Sequence, residues 1–219
     1  NHPEKGLLSA QEWLSSSKRS NFLSEVSVFA LEQIEIDTKR WASLNPESLQ
    51  VNINATEKLL VSGFMLERLS TTLQHLNRGN NISIGVEIPE SIILDRNLGV
   101  IIEQLIAMRE AGFKILLDDF GTGYATLSHL VSLPFDSIKI DRQFCKNVSN
   151  SPPHRAIIKT LRILTNDLEK DLICEGVEDL ESLKALEELG CEYIQGHYYS
   201  EAVSADRITE LLQKQSLNK

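Results

Sequence analysis

Cysteine is scarce in this 219-residue chain, and the three present, Cys145, Cys174 and Cys191, lie far apart with no CxxC pair among them. That spacing argues against a zinc site and against a disulfide framework, and it fits buried bystander thiols in a reducing, cytoplasmic compartment. The five histidines are scattered without an HExxH pairing, so none is assigned to metal. Long apolar runs are missing too: no stretch approaches the roughly eighteen residues of a membrane span. The opening NHPEKGLLSA has neither the basic start nor the apolar core of an export signal. A soluble domain without membrane contact of its own is expected. Basic charge is also short. The formal net charge of −9 argues against a duplex nucleic-acid binder, and an anionic ligand would need local cations to offset that field.

What is present is an ordinary globular composition, 42% hydrophobic, sufficient for a sizeable core. Helical segments alternate with short apolar runs over the whole length, and no low-complexity linker cuts them, so one domain over 1–219 is the simplest account. Apolar periodicity predicts helices over 21–42, 57–76, 98–111, 154–168 and 180–189. In the second, Leu59, Leu66, Leu69, Leu73 and Leu76 fall near one face. In the fourth, Ile157, Leu161, Leu164 and Leu168 form one stripe. Asp179 and Ser204 stand where N-caps of following helices belong, and Gly112 and Gly190 at C′ positions that lead into strands. Strands are predicted over 49–53, 82–88, 114–118, 137–140, 172–174 and 193–194. Near-continuous apolar strands separated by helices imply a mainly parallel sheet, either doubly wound or closed as a barrel.

The run KILLDDFGTGYATL, 114–127, places adjacent carboxylates, Asp118 and Asp119, at the end of an apolar strand and before a glycine-hinged loop. Two ionised carboxylates side by side repel, so the pair either shares a proton or holds a cation. Taken alone it reads more readily as a solvated turn. The other strand ends change that balance. At or just past them stand Asn52 and Asn54, Glu87 and Glu90, Lys139 and Asp141, Glu175 and Glu178, and Gln195. In a parallel α/β fold these ends converge on one rim, where such folds carry their sites. Oxygen donors without His or Cys suit a hard divalent cation, magnesium or manganese. Lys139 would then meet an anionic substrate or a metal-bound water.

These residues resemble the EAL domain, the bacterial cyclic di-GMP phosphodiesterase module, from near residue 2 to about 213. The opening HPEKGLLSAQEW is similar to the segment after the family's signature, and VNIN at 51–54 and VEIPES at 86–91 to its next two motifs. DDFGTGY, KIDRQF from 139, CEGVE from 174 and QGHYYS from 195 match the remaining four in order. The resemblance implies a modified TIM (β/α)8 barrel that hydrolyses one phosphodiester bond of cyclic di-GMP to linear pGpG. It implies Asn52, Glu87 and Asp118 on a first metal, with Asp118 bridging to a second held with Asp119 and Glu175. Two such ions, about 3.5–4 Å apart, clamp the scissile phosphate and lower the pKa of a water between them. Lys139 would steady that water or the developing charge, making Lys139, Glu175 and Asp119 the catalytic set. Asp141, Glu178 and Gln195 would support substrate, water or metal, and Glu90 would order the loop at 120–124. In the family that loop couples dimer contacts to metal geometry, so a homodimer is a further implication.

Departures from the family pattern are three. The namesake Glu-Ala-Leu strand, with a metal-ligating Glu and a nearby substrate-contacting Arg, is expected immediately before Asn1. Six strands against a barrel's eight, and a length short of roughly 250 residues, likewise suggest a domain trimmed at its start. Pro89 stands where Thr is usual, and Ala202 where Pro often follows QG. The competing functional readings are a cyclic di-GMP receptor without turnover, a non-catalytic interaction domain of the same fold, and a receiver-like doubly wound domain. Retention of Asp119, Lys139 and Glu175 disfavours the first. The absence of gross motif erosion disfavours the second, and the length and spread of rim residues the third.

Overall fold

The computed structural model describes residues 22–44, 46–76, 81–123 and 126–217. The HPEKGLLSAQEW segment, the first residue of the helix expected from 21, and Tyr124 of the DDFGTGY motif lie outside them.

Among the described residues six strands form one all-parallel sheet: β1 Leu49–Asn54, β2 Ile82–Pro89, β3 Lys114–Phe120, β4 Ser137–Ile140, β5 Asp171–Cys174 and β6 Tyr193–Ile194. Their spatial order is their sequence order, 1 to 6. A doubly wound sheet reverses direction at a switch point, and this one does not. Winding always one way is the topology of a (β/α) barrel, so the sheet is a barrel segment, with β1 and β6 as its edges among the described residues.

The helices are α1 Phe22–Ala42, α2 Glu57–Val61, α3 Phe64–Leu76, α4 Leu98–Glu110, α5 Leu127–Ser132, α6 Arg142–Cys145, α7 Pro152–Asp167, α8 Leu180–Glu188 and α9 Ala205–Leu217. A 3₁₀ turn covers Glu90–Leu94. Ile84, Val86 and Ile88 of β2, Ile115, Leu116 and Leu117 of β3, and Ile138 and Ile140 of β4 are fully buried. Each contributes about 1.5–3 kcal/mol by leaving water. Leu105, Met108, Leu60, Met65 and Ile158 come from the helices to cover them. All three cysteines are free and buried.

Several expected boundaries move, each for a local reason. The helix expected over 57–76 is two, because Gly63 takes φ +68° and turns the chain between α2 and α3. The helix expected from His154 starts at Pro152, where two prolines occupy the first turn, the positions whose N–H groups have no helical partner. On α7 the core-facing isoleucine is Ile158, with no exposure, while Ile157 is 40% exposed. Strand β3 continues past Asp118 to Phe120. The caps stand where expected: Asp179 Oδ1 accepts from Ser182 N at 2.7 Å, Ser204 Oγ from Arg207 N at 3.3 Å, and Gly112 and Gly190 are left-handed. Pro89, at φ −66°, needs no strain to end β2 opposite Asp118.

Candidate active site

The carboxyl ends of β1 to β5 deliver the chemistry. Successive strand residues point to opposite faces, so Asp118 and Asp119 would ordinarily face apart. They do not, because the β3–β4 register shifts between Leu117 and Phe120, and Asp119 there adopts φ +54°. This bulge turns both side chains to one rim: oxygens of Asp118, Asp119 and Glu175 lie within 4.8 Å of one another.

Lys139 of β4 rises between them, only 3% exposed. Its Nζ lies 2.7 Å from Glu175 Oε1, 2.9 Å from Asp118 Oδ1 and 2.9 Å from Glu87 Oε1. Asn52 joins through Nδ2, which donates to Glu87 Oε1 at 3.0 Å, while its Oδ1 accepts from Gln50 Nε2 at 2.9 Å. Asn52, Glu87, Asp118, Asp119, Lys139 and Glu175, from five strand ends, are thus one connected group. A residue absent from the sequence reading makes this possible. Gly85 lies beside Asn52 in the ladder, and a Cβ there would fall 2.1 Å from Asn52 Oδ1. The signal for it was a lone glycine inside an apolar strand.

The other expected residues stand outside this connected group. Glu90, 2% exposed, accepts through Oε2 from Thr122 N at 2.9 Å and Thr122 Oγ1 at 2.8 Å, tying the 3₁₀ turn to the loop after Asp119. Asp141 caps α6, its Oδ1 accepting from Gln143 N at 2.9 Å, and adds its field to Asp119. Glu178 and Gln195 are exposed and stand outside the Lys139-centred group. Backbone bonds from Gln195 N to Cys174 O, 2.8 Å, and from Val177 N to Gln195 O, 3.2 Å, hold the QG turn against the segment after Glu175. A cleft of about 560 Å³ opens there, lined by Gln195, Gly196, His197, Tyr199, Ser200 and Glu201.

Electrostatically the rim is under tension. Burial alone would lower the Lys139 pKa, but hydrogen bonds to Glu175, Glu87 and Asp118 outweigh it and hold the ammonium charged well above the ordinary lysine range. Burial pushes Glu175 up, reinforced by Asp118 and Glu87 and opposed by Lys139. Asp119 is also raised, by burial and then by Asp118 and Asp141. Carboxylates held this close want more positive charge than one ammonium provides. The donor set is oxygen throughout, which fits a hard divalent cation and not a thiophilic one.

Asp119 yields a stability prediction. Asn tolerates left-handed backbone better than Asp and carries no charge. In chelator, Asp119→Asn is expected to raise the thermal midpoint by about one to three degrees. A raised carboxyl pKa penalises the folded state above that pKa and not below it. The gain should therefore shrink as pH falls through the raised Asp119 value. Calorimetry across pH 4–8 checks this; a midpoint unchanged at pH 7 contradicts it.

A one-way-wound parallel sheet with a carboxylate-rich rim defines the chain as a barrel-type α/β domain of the modified TIM class. The sequence profile of the EAL domain matches residues 1–202, and the chain belongs to the EAL domain family. A solved structure of the EAL enzyme Bd1971, in its cAMP- and cyclic-di-GMP-bound form, superposes with TM-score 0.83 at 25% identity. It covers 97% of this chain and 58% of that one. The Klebsiella pneumoniae BlrP1 manganese/cy-diGMP complex gives TM-score 0.68 at 25% identity, over 86% of this chain and 47% of that one. Among curated proteins, the cyclic di-GMP phosphodiesterase NbdA of Pseudomonas aeruginosa is 26% identical over 211 residues, 96% of this chain and 27% of that protein. The chain spans between about a fifth and just over a third of the length of such relatives. Among the described residues no helix is long and apolar enough to cross a membrane.

Proposed function

We propose that this domain hydrolyses one phosphodiester bond of cyclic di-GMP, giving linear pGpG, with magnesium or manganese held by Asn52, Glu87, Asp118, Asp119 and Glu175. The observation that carries the reading is the convergence of Asp118, Asp119 and Glu175 oxygens within 4.8 Å, with Glu87 and Asn52 tied to them. Named relatives act on, or are bound to, the same nucleotide. Divalent cations at such a site supply phosphoryl polarisation and a water acidic enough to attack at neutral pH.

The side chains supply the rest. Lys139, held among Glu87, Asp118 and Glu175 in the structure, would supply positive charge to the reacting phosphate or its nucleophilic water once metal has taken those carboxylates, in a setting where burial strengthens its field. Glu175, 2.7 Å from its Nζ, and Asp119, with an oxygen within 4.8 Å of those of Glu175 and Asp118, complete the catalytic set. Glu178, Gln195 and the cleft beside them serve the substrate, and Asp141 supports the rim from its capping position. Glu90, through Thr122, keeps the loop and with it Asp119 in place. A homodimer through that loop belongs to the same reading, with Leu127 and Val131 of α5 offering exposed apolar surface beside it. A cytoplasmic setting would keep the three thiols reduced.

The test is turnover of cyclic di-GMP followed by chromatography of the linear product. With Mn²⁺ or Mg²⁺ the product should accumulate. Excess chelator should reduce the rate to background, and added Mn²⁺ should restore it. Nucleotide binding without product at saturating metal would count against the proposed hydrolysis.

A further inference from the structure

Building on the metal site proposed above, we infer that Lys139 is a resident counter-cation: it occupies the carboxylates a divalent ion needs, and only their capture by that ion frees it to act on substrate.

The donor count carries the argument. A lysine ammonium has three N–H bonds and no acceptor. Here three carboxylates from three strands close on it: Glu87 from β2 at 2.9 Å, Asp118 from β3 at 2.9 Å, which accepts a hydrogen bond, and Glu175 just past β5 at 2.7 Å. The residue is 3% exposed, so bulk water reaches little of it. With three carboxylate oxygens within 3 Å of Nζ, a phosphate oxygen or a nucleophilic water reaches it only by displacing one of them. A lysine serving the reaction must therefore release at least one carboxylate. The three oxygens it holds belong to residues assigned to metal, so one event can both fill the site and release the ammonium.

Charge points the same way. The group Glu87, Asp118, Asp119 and Glu175 faces a single ammonium. One divalent ion leaves it with one negative charge, and a second reverses the sign while Lys139 stays caged. Full occupancy thus favours an ammonium that withdraws toward an incoming phosphodiester anion. A permanent cation within 3 Å of three ligands must also weaken metal binding, by direct competition for oxygens and by repulsion. The cost of that competition is matched by a benefit: without Lys139, clustered carboxylates would repel one another whenever metal is scarce.

The experiment compares wild type with Lys139→Met and Lys139→Arg. Lys139→Met keeps the aliphatic stem and removes the charge. It should bind Mn²⁺ at least tenfold more tightly by calorimetric titration. In chelator its thermal midpoint should fall below wild type, and its rise on saturation with Mn²⁺ should be larger. Lys139→Arg, which keeps the charge, should not tighten binding. Equal or weaker Mn²⁺ affinity in Lys139→Met, or an unchanged midpoint in chelator, overturns the inference. If Lys139→Met folds only with metal, that dependence is the predicted behaviour. If it folds in neither condition, Lys139→Gln is measured against the same tenfold criterion, with the same result overturning the idea. The two readings fail separately. Tightened Mn²⁺ binding in a protein without turnover sinks only the proposed activity. Chelator-sensitive turnover with unaltered affinity in the Met variant sinks only the counter-cation.

Discussion

Replacing Glu175 by Gln is expected to lower kcat for cyclic di-GMP about a thousandfold, equivalent to roughly 4 kcal/mol of transition-state stabilisation. Gln keeps the shape of the side chain and one carbonyl oxygen, but not the charge that Asp118, Asp119 and Lys139 surround. Folding should survive. Burial already holds the Glu175 carboxyl above the ordinary glutamate range, so its ionised form is disfavoured by the fold, and the Lys139 contact recovers only part of that. Protons and metal compete for a carboxyl of this kind. Apparent Mn²⁺ affinity of the wild type should weaken as pH falls through the raised Glu175 pKa, and the Gln variant should lose that component. Steady-state kinetics at saturating Mn²⁺, with circular dichroism to confirm the fold, tests the first part. A variant within tenfold of wild-type kcat would remove Glu175 from the catalytic set.

The architecture was legible because two simple periods alternate along the chain. Parallel strands buried on both faces show as unbroken apolar runs, and the polar residue that ends each run is obliged to share a rim with the others. Asn52, Glu87, Asp118, Lys139 and Glu175 could be placed together on that ground alone. Winding direction was not legible, since doubly wound and barrel folds use the same strand-helix alphabet. Pairing order settled it. Adjacent isoleucines at 157 and 158 both satisfy a helical stripe, and which one is buried depends on how α7 sits on β5. The break at Gly63 lay hidden in a leucine pattern that continues on either side.

Two features of the site lie beyond any reading of spacing. A one-residue register shift in β3 sets both aspartates on one rim, and a register shift is a relation between strands that one strand's residues do not encode. The enclosure of the Lys139 ammonium by carboxylates likewise needs three strands at once. Sequence suggested that Lys139 faces substrate or water, whereas the structure engages it with its own carboxylates. Asp141 shows the limit from the other side. It stands at a strand end like the rest, yet it caps a short helix.

Gly196→Ala should be the most destabilising single-methyl change at the rim. The ideal Cβ of that residue would lie 2.1 Å from Val177 O, 2.4 Å from Val177 N and 2.7 Å from Val177 C, all backbone atoms that cannot rotate away. Val177 cannot retreat cheaply either. Its N–H donates to Gln195 O and its carbonyl accepts from Tyr198 N at 3.0 Å, so moving it breaks the bonds that fasten the QG turn to the segment carrying Glu175. Overpacking against mobile side chains costs about 1–3 kcal/mol, and a fixed backbone belongs at or above the upper end. With about 2–4 °C lost per kcal/mol in a domain of this size, the midpoint should drop by roughly 6–12 °C. Gly123→Ala is the internal control. Nothing lies within 4 Å of its Cβ, so its cost is limited to that of a left-handed alanine, about 1–2 kcal/mol. The comparison separates steric collision from backbone conformation, because Gly196 does not share the positive φ of Gly123. A midpoint for Gly196→Ala no lower than for Gly123→Ala would show that the turn yields, and that Glu175 is positioned without it.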